Sequence, residues 1–285
     1  MSAPFTPVSA PPYLVCQISD MHVKLPGKLS YRVVDCARML AACVDTIMRL
    51  PQRPDCVIAT GDLVDFGRPG EYAHLRELLA PLPMPVYLMP GNHDERAALR
   101  EAFSDHAYLR QWPPFVQYAV DAGPLRIVAL DTVIPGDGAG ELCVERLDWL
   151  ERRLAESPHR PTLLLMHHPP FPTLIGHMDE QGLLRGSERL AGIVARHPQI
   201  ERILCGHLHR PIQVRFAGTL ASTSPSTAHQ VALDLAPDAA SAFRMEPPGF
   251  QLHAWQPGFG VVSHTAVVGE FAGPFPFYEN GKLID

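Results

Sequence analysis

Short apolar runs recur along the chain, and each breaks off at a turn built from Asp, Asn, His or Gly. Tyr13–Ile18, Cys56–Ala59, Val86–Met89, Leu163–Met166 and Ile203–Cys205 read as buried strands. Between them Tyr31–Leu50, Leu142–Leu154 and Ser187–Arg196 place apolar residues every three or four positions, which predicts helices. Val116–Val120 and Leu125–Leu130, separated by Asp121-Ala122-Gly123-Pro124, predict a hairpin. Up to about residue 210 this alternation is α/β patterning. Beyond Arg210 the chain turns β-rich, with strands expected at Ile212–Phe216, Gln230–Leu235, Phe250–Trp255 and Gly260–Val268. Residues 237–249, rich in Ala and carrying a Pro-Pro pair, read as a loop or subunit arm leaving the core. The expected organisation is a main domain over 1–235 and a β-rich extension over 236–285, serving as a cap or an oligomerisation element.

The turns that end the strand-like runs carry the chemistry. They read Asp20-Met21-His22, Gly61-Asp62, Gly91-Asn92-His93-Asp94, His167-His168-Pro169 and Gly206-His207-Leu208-His209. One such motif alone is close to background, since Asp after a strand often caps a helix or sits in a turn. Their co-occurrence in order is what matters, because strands of an open α/β sheet deliver side chains to one crevice beyond their carboxyl ends. Carboxylates, one amide oxygen and several imidazoles form a mixed donor set suited to iron, manganese or zinc, and too rich in nitrogen for a calcium or magnesium cage. Asp62, central in the series, is the candidate to bridge two cations roughly 3.5 to 4 Å apart.

These motifs resemble those of the calcineurin-like metallophosphoesterase superfamily. His-His-Pro-Pro followed by Gly-His-Leu-His-Arg, with a tail of Phe250–Trp255 and Val262–Thr265, resembles bacterial class III cyclic nucleotide and glycerophosphodiester phosphodiesterases. The resemblance implies a four-layer αββα sandwich of two mixed sheets flanked by helices. It assigns Asp20, His22 and His209 to one metal and Asn92, His167 and His207 to a second, with Asp62 shared. His167 is chosen over His168 through the family pattern His-x-Pro. His93 is implied as the catalytic group that stabilises the transition state or protonates the leaving oxygen, with Asp94 orienting it; Asp65 and Asp94 are each equally readable as simple caps. Asn92, His93, His168 and His177 are the expected substrate contacts, and Arg68 and Arg210 each either meet a non-bridging phosphate oxygen, carry surface charge or brace the residues behind the ligands.

The expected activity is metal-assisted hydrolysis of small phosphodiesters, 3′,5′-cyclic nucleotides or glycerophosphodiesters. Two cations bring the pKa of water from ~15.7 toward ~7, and metal-bound hydroxide attacks phosphorus in line with the departing alkoxide. A phosphomonoesterase or small-nucleotide hydrolase on the same site is the competing enzyme, separated by whether a second ester group has room. A non-catalytic metal-binding scaffold is the competing class, and the presence of every ligand type together with His93 speaks against it.

Composition narrows the partners. The chain has 285 residues, 46% hydrophobic and 19% charged, enough for a large core. A net charge of −6 without any block of Lys or Arg argues against extended nucleic acid. The six cysteines form no C-x-x-C pair and read as buried thiols. Residues 1–7 lack a charged and apolar leader pattern, and no run approaches the ~18 apolar residues of a membrane span, so the expectation is a cytoplasmic protein. A homo-oligomer is expected from the resemblance alone. Of the remaining histidines, His74, His106, His159 and His197 read as surface residues, His177 as a pocket residue, and His229, His253 and His264 as packing or subunit contacts.

Overall fold

A computed structural model describes residues 11–284; the reading of residues 1–7 therefore lies outside the described residues. Strands β1 (Tyr13–Ile18), β2 (Cys56–Thr60) and β3 (Val86–Met89) alternate with helices α1 (Cys36–Met48), α2 (Pro69–Leu79) and α3 (Arg96–Ala102). There follow β4 (Tyr118–Ala122), β5 (Leu125–Leu130), β6 (Gly140–Glu141), α4 (Val144–Ala155), β7 (Thr162–Met166), α5 (Gly176–Asp179), β8 (Leu183–Arg185), α6 (Ser187–Arg196) and β9 (Ile200–Cys205). The last part is β10 (Gln213–Phe216), β11 (Thr219–Thr223), β12 (Gln230–Val231), β13 (Phe243–Arg244), β14 (Gly249–Gln256), β15 (Gly260–Val267), β16 (Tyr278–Glu279) and β17 (Lys282–Leu283).

Two mixed sheets dominate, in the orders β15-β14-β1-β2-β3 and β10-β11-β9-β7-β5-β4. The strands that end in the five motifs are all interior to their sheets except β3, and run parallel to their neighbours in that series. Side-chain alternation then builds the layers. Ile127, Ala129, Leu163 and Leu165 join the core shared with the first sheet, while Val128, Leu130, Leu164 and Met166 join the core under α4 and α6. Each such leucine, fully buried, contributes roughly 2 kcal/mol of apolar burial. The expected sandwich of two mixed sheets faced by helices is the observed fold.

One polar seam ties the sheets together beneath the site. The Gln17 amide donates to Thr60 Oγ1 at 3.0 Å and to the Cys205 carbonyl at 2.9 Å, and its oxygen lies 3.0 Å from His253 Nε2. Buried amides cost several kcal/mol unless satisfied, so this seam fixes the relative placement of β1, β2 and β9. His253 is thus a packing residue.

Several elements depart from expectation. The helix expected at Tyr31–Leu50 starts only at Cys36, because Asp35 caps it by accepting from Arg38 N at 3.0 Å and because Tyr31 and Arg32 are left-handed, at φ 48° and 67°. The hairpin holds with Tyr118–Ala122 as its first strand, shifted from Val116–Val120. The boundary expected at 235/236 is corrected: β14 pairs with β1 along its length, and Phe250, Trp255 and Val268 belong to the main core, so residues 249–268 complete the first sheet. Residues 237–249 leave the two large sheets as expected and are mostly exposed up to Pro248, but they fold back through β13, which pairs with β12 in a separate two-stranded sheet, Val231 opposite Phe243. The end of the chain also stands apart from the two large sheets, in the small β16–β17 hairpin with Phe271, Phe275, Phe277 and Tyr278 exposed.

Candidate metal centre

Beyond the last hydrogen bonds of β1, β2 and β9 the backbone twists sharply. Asp20, His22, Asp62, His207 and His209 all have positive φ, between 45° and 70°. L-residues avoid this region, and it costs of order 1–3 kcal/mol where it persists, so a run of such residues at strand ends marks a site that the fold holds under strain. Backbone bonds lock it: Asp20 N donates to Gly61 O at 3.1 Å and His22 N to Asp62 O at 3.0 Å, while His207 N donates to Asp20 Oδ1 at 2.9 Å. Glycine is required where these turns meet. A Cβ on Gly91 would run into Asp62 Oδ1 and come within 2.7 Å of His167 Cε1.

The side chains gather as two donor sets. In one, His22 Nε2 and His209 Nε2 lie 3.1 Å apart, with Asp20 Oδ1 at 3.6 Å from His209 and Asp62 Oδ2 at 3.6 Å from His22. In the other, Asn92 Oδ1 lies 3.0 Å from His167 Nε2 and 3.1 Å from His207 Nδ1, with Asp62 Oδ1 at 3.4 Å from His167. The two oxygens of Asp62 therefore face different sets. All seven expected ligands come together, buried or half-buried.

The far side of each imidazole explains why these nitrogens converge. His167 Nδ1 donates to the Thr60 carbonyl at 2.8 Å and His209 Nδ1 to the His229 carbonyl at 2.9 Å, which leaves the Nε2 lone pairs turned inward. His22 Nδ1 lies 3.3 Å from Asp65 Oδ1. His207 Nε2 is buried without a hydrogen-bond partner, leaving Nδ1 as its inward atom. Lone pairs of imidazole, amide and carboxylate facing one another at 3.0 to 3.6 Å repel unless a cation or a proton lies between them. The donor set fits metal ions.

Protonation responds in the same sense. Burial works against a charged His167, yet the neighbouring Asp62 carboxylate outweighs it and holds the imidazole up to about 9. Burial likewise works against an ionised Asp62, but His167 and His93 keep its carboxyl well below the usual range. Burial, with Asp62 nearby, pushes Asp20 up to about 6, while burial and the charge of His22 push His209 down to about 3. A proton on His167 stands where a metal would bind.

His93 lies on the open side of the centre. Its backbone N–H donates to Asp62 Oδ1 at 2.9 Å, and its Nδ1 donates to the Asp65 carbonyl at 2.9 Å. Asp94 is corrected here, for it does not touch His93. Its carboxylate turns beneath the turn and accepts from Gly91 N at 2.8 Å, Leu63 N at 3.0 Å and the Tyr72 hydroxyl at 2.9 Å. Asp94 thus clamps the Asp62 loop to the Asn92 loop, and Asp65 orients His93. Lys24 in turn holds Asp65 through an ion pair at 2.9 Å.

His168 also departs from expectation. It is fully buried behind His207, with Nε2 donating to the Gly138 carbonyl at 3.1 Å and Nδ1 accepting from Thr132 Oγ1 at 2.7 Å, so neither nitrogen is free for substrate. His177 does line the cleft above the candidate metal ligands, a space of about 340 Å³. The loop that carries it is latched by Asp179, which accepts from Thr173 N and Thr173 Oγ1 at 2.7 Å and from Leu174 N at 2.9 Å, and anchored by Ile175 against Leu208 and Val231. The facing wall was not anticipated: Tyr31, His229 and Phe243 line the same cleft. Arg68 and Arg210 do not; Arg210 pairs with Glu246 at 2.9 Å.

With this geometry in place, comparison with known proteins defines the class. The sequence pattern of the calcineurin-like phosphoesterases matches residues 13–211. The chain belongs to that family. A protein of Arcobacter nitrofigilis named probable glycerophosphodiester phosphodiesterase GpdQ is 41% identical over 273 residues, covering 95% of this chain and 100% of that one. The glycerophosphodiester phosphodiesterase GpdQ of Enterobacter lignolyticus is 33% identical, covering 94% and 95%. The 3′,5′-cyclic adenosine monophosphate phosphodiesterase CpdA of Escherichia coli K12 is 31% identical, covering 76% of each. Among solved structures, a dimetal phosphatase from Danio rerio shares the fold with a TM-score of 0.66 at 16% identity, over 91% of this chain and 100% of that one.

Proposed function

We propose that this protein is a two-metal phosphodiesterase acting on small diesters, with glycerophosphodiesters favoured over 3′,5′-cyclic nucleotides. The observation that carries it is the division of the Asp62 oxygens between two donor sets, with His93 beside them on the open side. The preference for glycerophosphodiesters draws support from relatives of that name that match nearly end to end, whereas the cyclic nucleotide enzyme covers a smaller share. Asp20, His22 and His209 would hold one cation, Asn92, His167 and His207 the other, and Asp62 would serve both; iron, manganese or zinc suits these donors.

When bound, the cations supply a water of lowered pKa and withdraw charge from the phosphoryl oxygens. The chain does the rest. Carbonyls of Thr60 and His229 keep the ligand imidazoles aimed, so no reorganisation is needed as charge develops. The Asp65 carbonyl holds His93 Nδ1–H, which leaves Nε2 to meet the leaving oxygen and deliver a proton to it when the ring is doubly protonated. The cleft between the His177 loop and Tyr31 gives room for the second ester group, which a phosphomonoesterase does not require.

No helix among the described residues is long and apolar enough to cross a membrane. We place the protein in the cytoplasm, in keeping with six cysteines that form no disulfide. We also infer a homo-oligomer, for which the exposed aromatic residues at the end of the chain offer an apolar surface.

The test is turnover of the purified, manganese-reconstituted protein on bis(p-nitrophenyl) phosphate against p-nitrophenyl phosphate, with a chelated control and with glycerophosphocholine and cAMP in parallel. Metal-dependent preference for the diester is expected. Preference for the monoester would overturn the reading, and faster hydrolysis of cAMP than of glycerophosphocholine would reverse the order of substrates.

A further inference from the structure

The metal ligands account for the floor of the cleft and leave its outer wall unexplained. Tyr31 stands there at the tip of a tight loop closed by mutual bonds between Ser30 and Val34, each at 2.9 Å. Its φ of 48°, like the 67° of Arg32 beside it, belongs to that tight turn, and Tyr31 is 53% exposed, so its ring is presented at the surface and not committed to the core.

The ring sits in a definite place. Tyr31 meets His229 at 5.3 Å and Phe243 at 5.0 Å between centroids, and His229 in turn lies 5.6 Å from His22 and 4.7 Å from His209. The rings form a row leading outward from the metal ligands, with Tyr31 at its outer end. No Lys or Arg lines this cleft among the described residues. Lys24 and Arg210, both close in sequence to ligands, are committed to Asp65 and Glu246. A second anionic group on a substrate therefore meets no counter-charge, whereas a cation finds ring faces whose quadrupole attracts it. The tilt of 35° between Tyr31 and Phe243, already in contact, leaves no slot to sandwich a flat base, but an open face suits a compact, rounded group.

We propose that Tyr31, with Phe243, forms the subsite for the second ester substituent and selects a quaternary ammonium alcohol such as choline over neutral or anionic alcohols. This rests on the phosphodiesterase reading above. The experiment compares KM for glycerophosphocholine with KM for its neutral isostere, the 3,3-dimethylbutyl ester of glycerophosphate, using the metal-loaded full chain. Wild type is expected to show a KM for the choline ester about fivefold lower or better, the scale of a partly desolvated cation and π contact. Tyr31→Phe keeps the ratio, since only the ring face is used, and Tyr31→Leu brings it to about one. Equal KM values in wild type, or a ratio that survives Tyr31→Leu, would overturn the subsite. Bis(p-nitrophenyl) phosphate run alongside separates the two failures: metal-dependent turnover there without a choline preference sinks the subsite alone, and no metal-dependent diester hydrolysis at all sinks the parent reading and the subsite with it.

Discussion

The floor of the cleft and its outer walls are built on different principles. The floor is five strand ends, three of which (after β1, β2 and β9) have their backbone driven into left-handed conformations and cross-bonded, so that ligands far apart in sequence arrive within hydrogen-bonding range of one another. The walls are loops, held by one polar latch at Asp179 on one side and by ring contacts of Tyr31, His229 and Phe243 on the other. A floor of this kind leaves little freedom for its chemistry to drift. A wall of this kind changes what is bound without disturbing how it is cleaved, which is how one scaffold serves diesters of different alcohols.

That contrast predicts effects of very different size. Asp62→Ala removes the carboxylate shared by both donor sets and should lose both metals by elemental analysis and more than about a thousandfold in kcat/KM, as several kcal/mol of charge stabilisation disappear at ~1.4 kcal/mol per tenfold. Retention of two equivalents of metal would break the bridge assignment. His93→Ala should keep the metals and cost about 10²- to 10⁴-fold on a diester with a poor leaving group, with less loss for a nitrophenyl ester that needs no proton. Asp94→Ala strands at least three buried donors and should cost about 3 kcal/mol in denaturant unfolding. If Asp94→Ala instead left stability intact and reproduced the His93→Ala kinetics, the corrected role of Asp94 would be wrong.

The difference between floor and wall also governs what the sequence reveals. Ligands at strand ends announce themselves, because a short apolar run followed by Asp, Asn or His is a local pattern and the sheet makes it convergent. The exchange of Asp94 for Asp65 was not legible. Adjacency in His93-Asp94 suggests contact, but in the tight turn closed by Asp94 N to Gly91 O at 3.1 Å consecutive side chains point apart, and the partner of His93 comes instead from the turn after β2. Tyr31 was hidden inside a helical period whose first residues turn out to be a loop. Phe243 lay in a segment read as an arm, and His229 carried no pattern beyond being a histidine. Nothing local marks these three wall residues, unlike His177, since their partners are brought to them only by pairings such as that of Val231 with Phe243.

Acidity sharpens the comparison at the floor alone. In the metal-free protein His167 keeps its proton up to about 9, above its ordinary value near 6.5, so that interaction stabilises the metal-free fold fully below pH ~6.5 and is lost as pH rises through about 9. A metal must displace that proton. Affinity should therefore fall about tenfold per unit as pH drops from about 9, and more steeply below about 6, where Asp20 also takes up a proton. Competition with a chelator across pH 5 to 9, with proton release followed on metal addition, measures it, and a flat affinity profile would contradict the arrangement.

The smallest effect belongs to the wall. Asp179 touches no ligand; it fixes Thr173 and Leu174, whose left-handed φ of 66° would otherwise relax, and so keeps the turn of α5 with His177 and Met178 over the cleft. Asp179→Ala gives up hydrogen bonds on a surface loop, each worth about 1 kcal/mol, while Ile175 still anchors the segment on Leu208 and Val231. The loop should loosen without leaving. KM for a diester carrying glycerol should then rise about three- to tenfold with kcat held within about twofold, and a diester whose second substituent is only methyl should show almost no change, because it does not reach the wall. A fall in kcat for both substrates would mean that the loop sets the metal ligands through Leu208, and the division between floor and wall would have to be redrawn at His207 and His209.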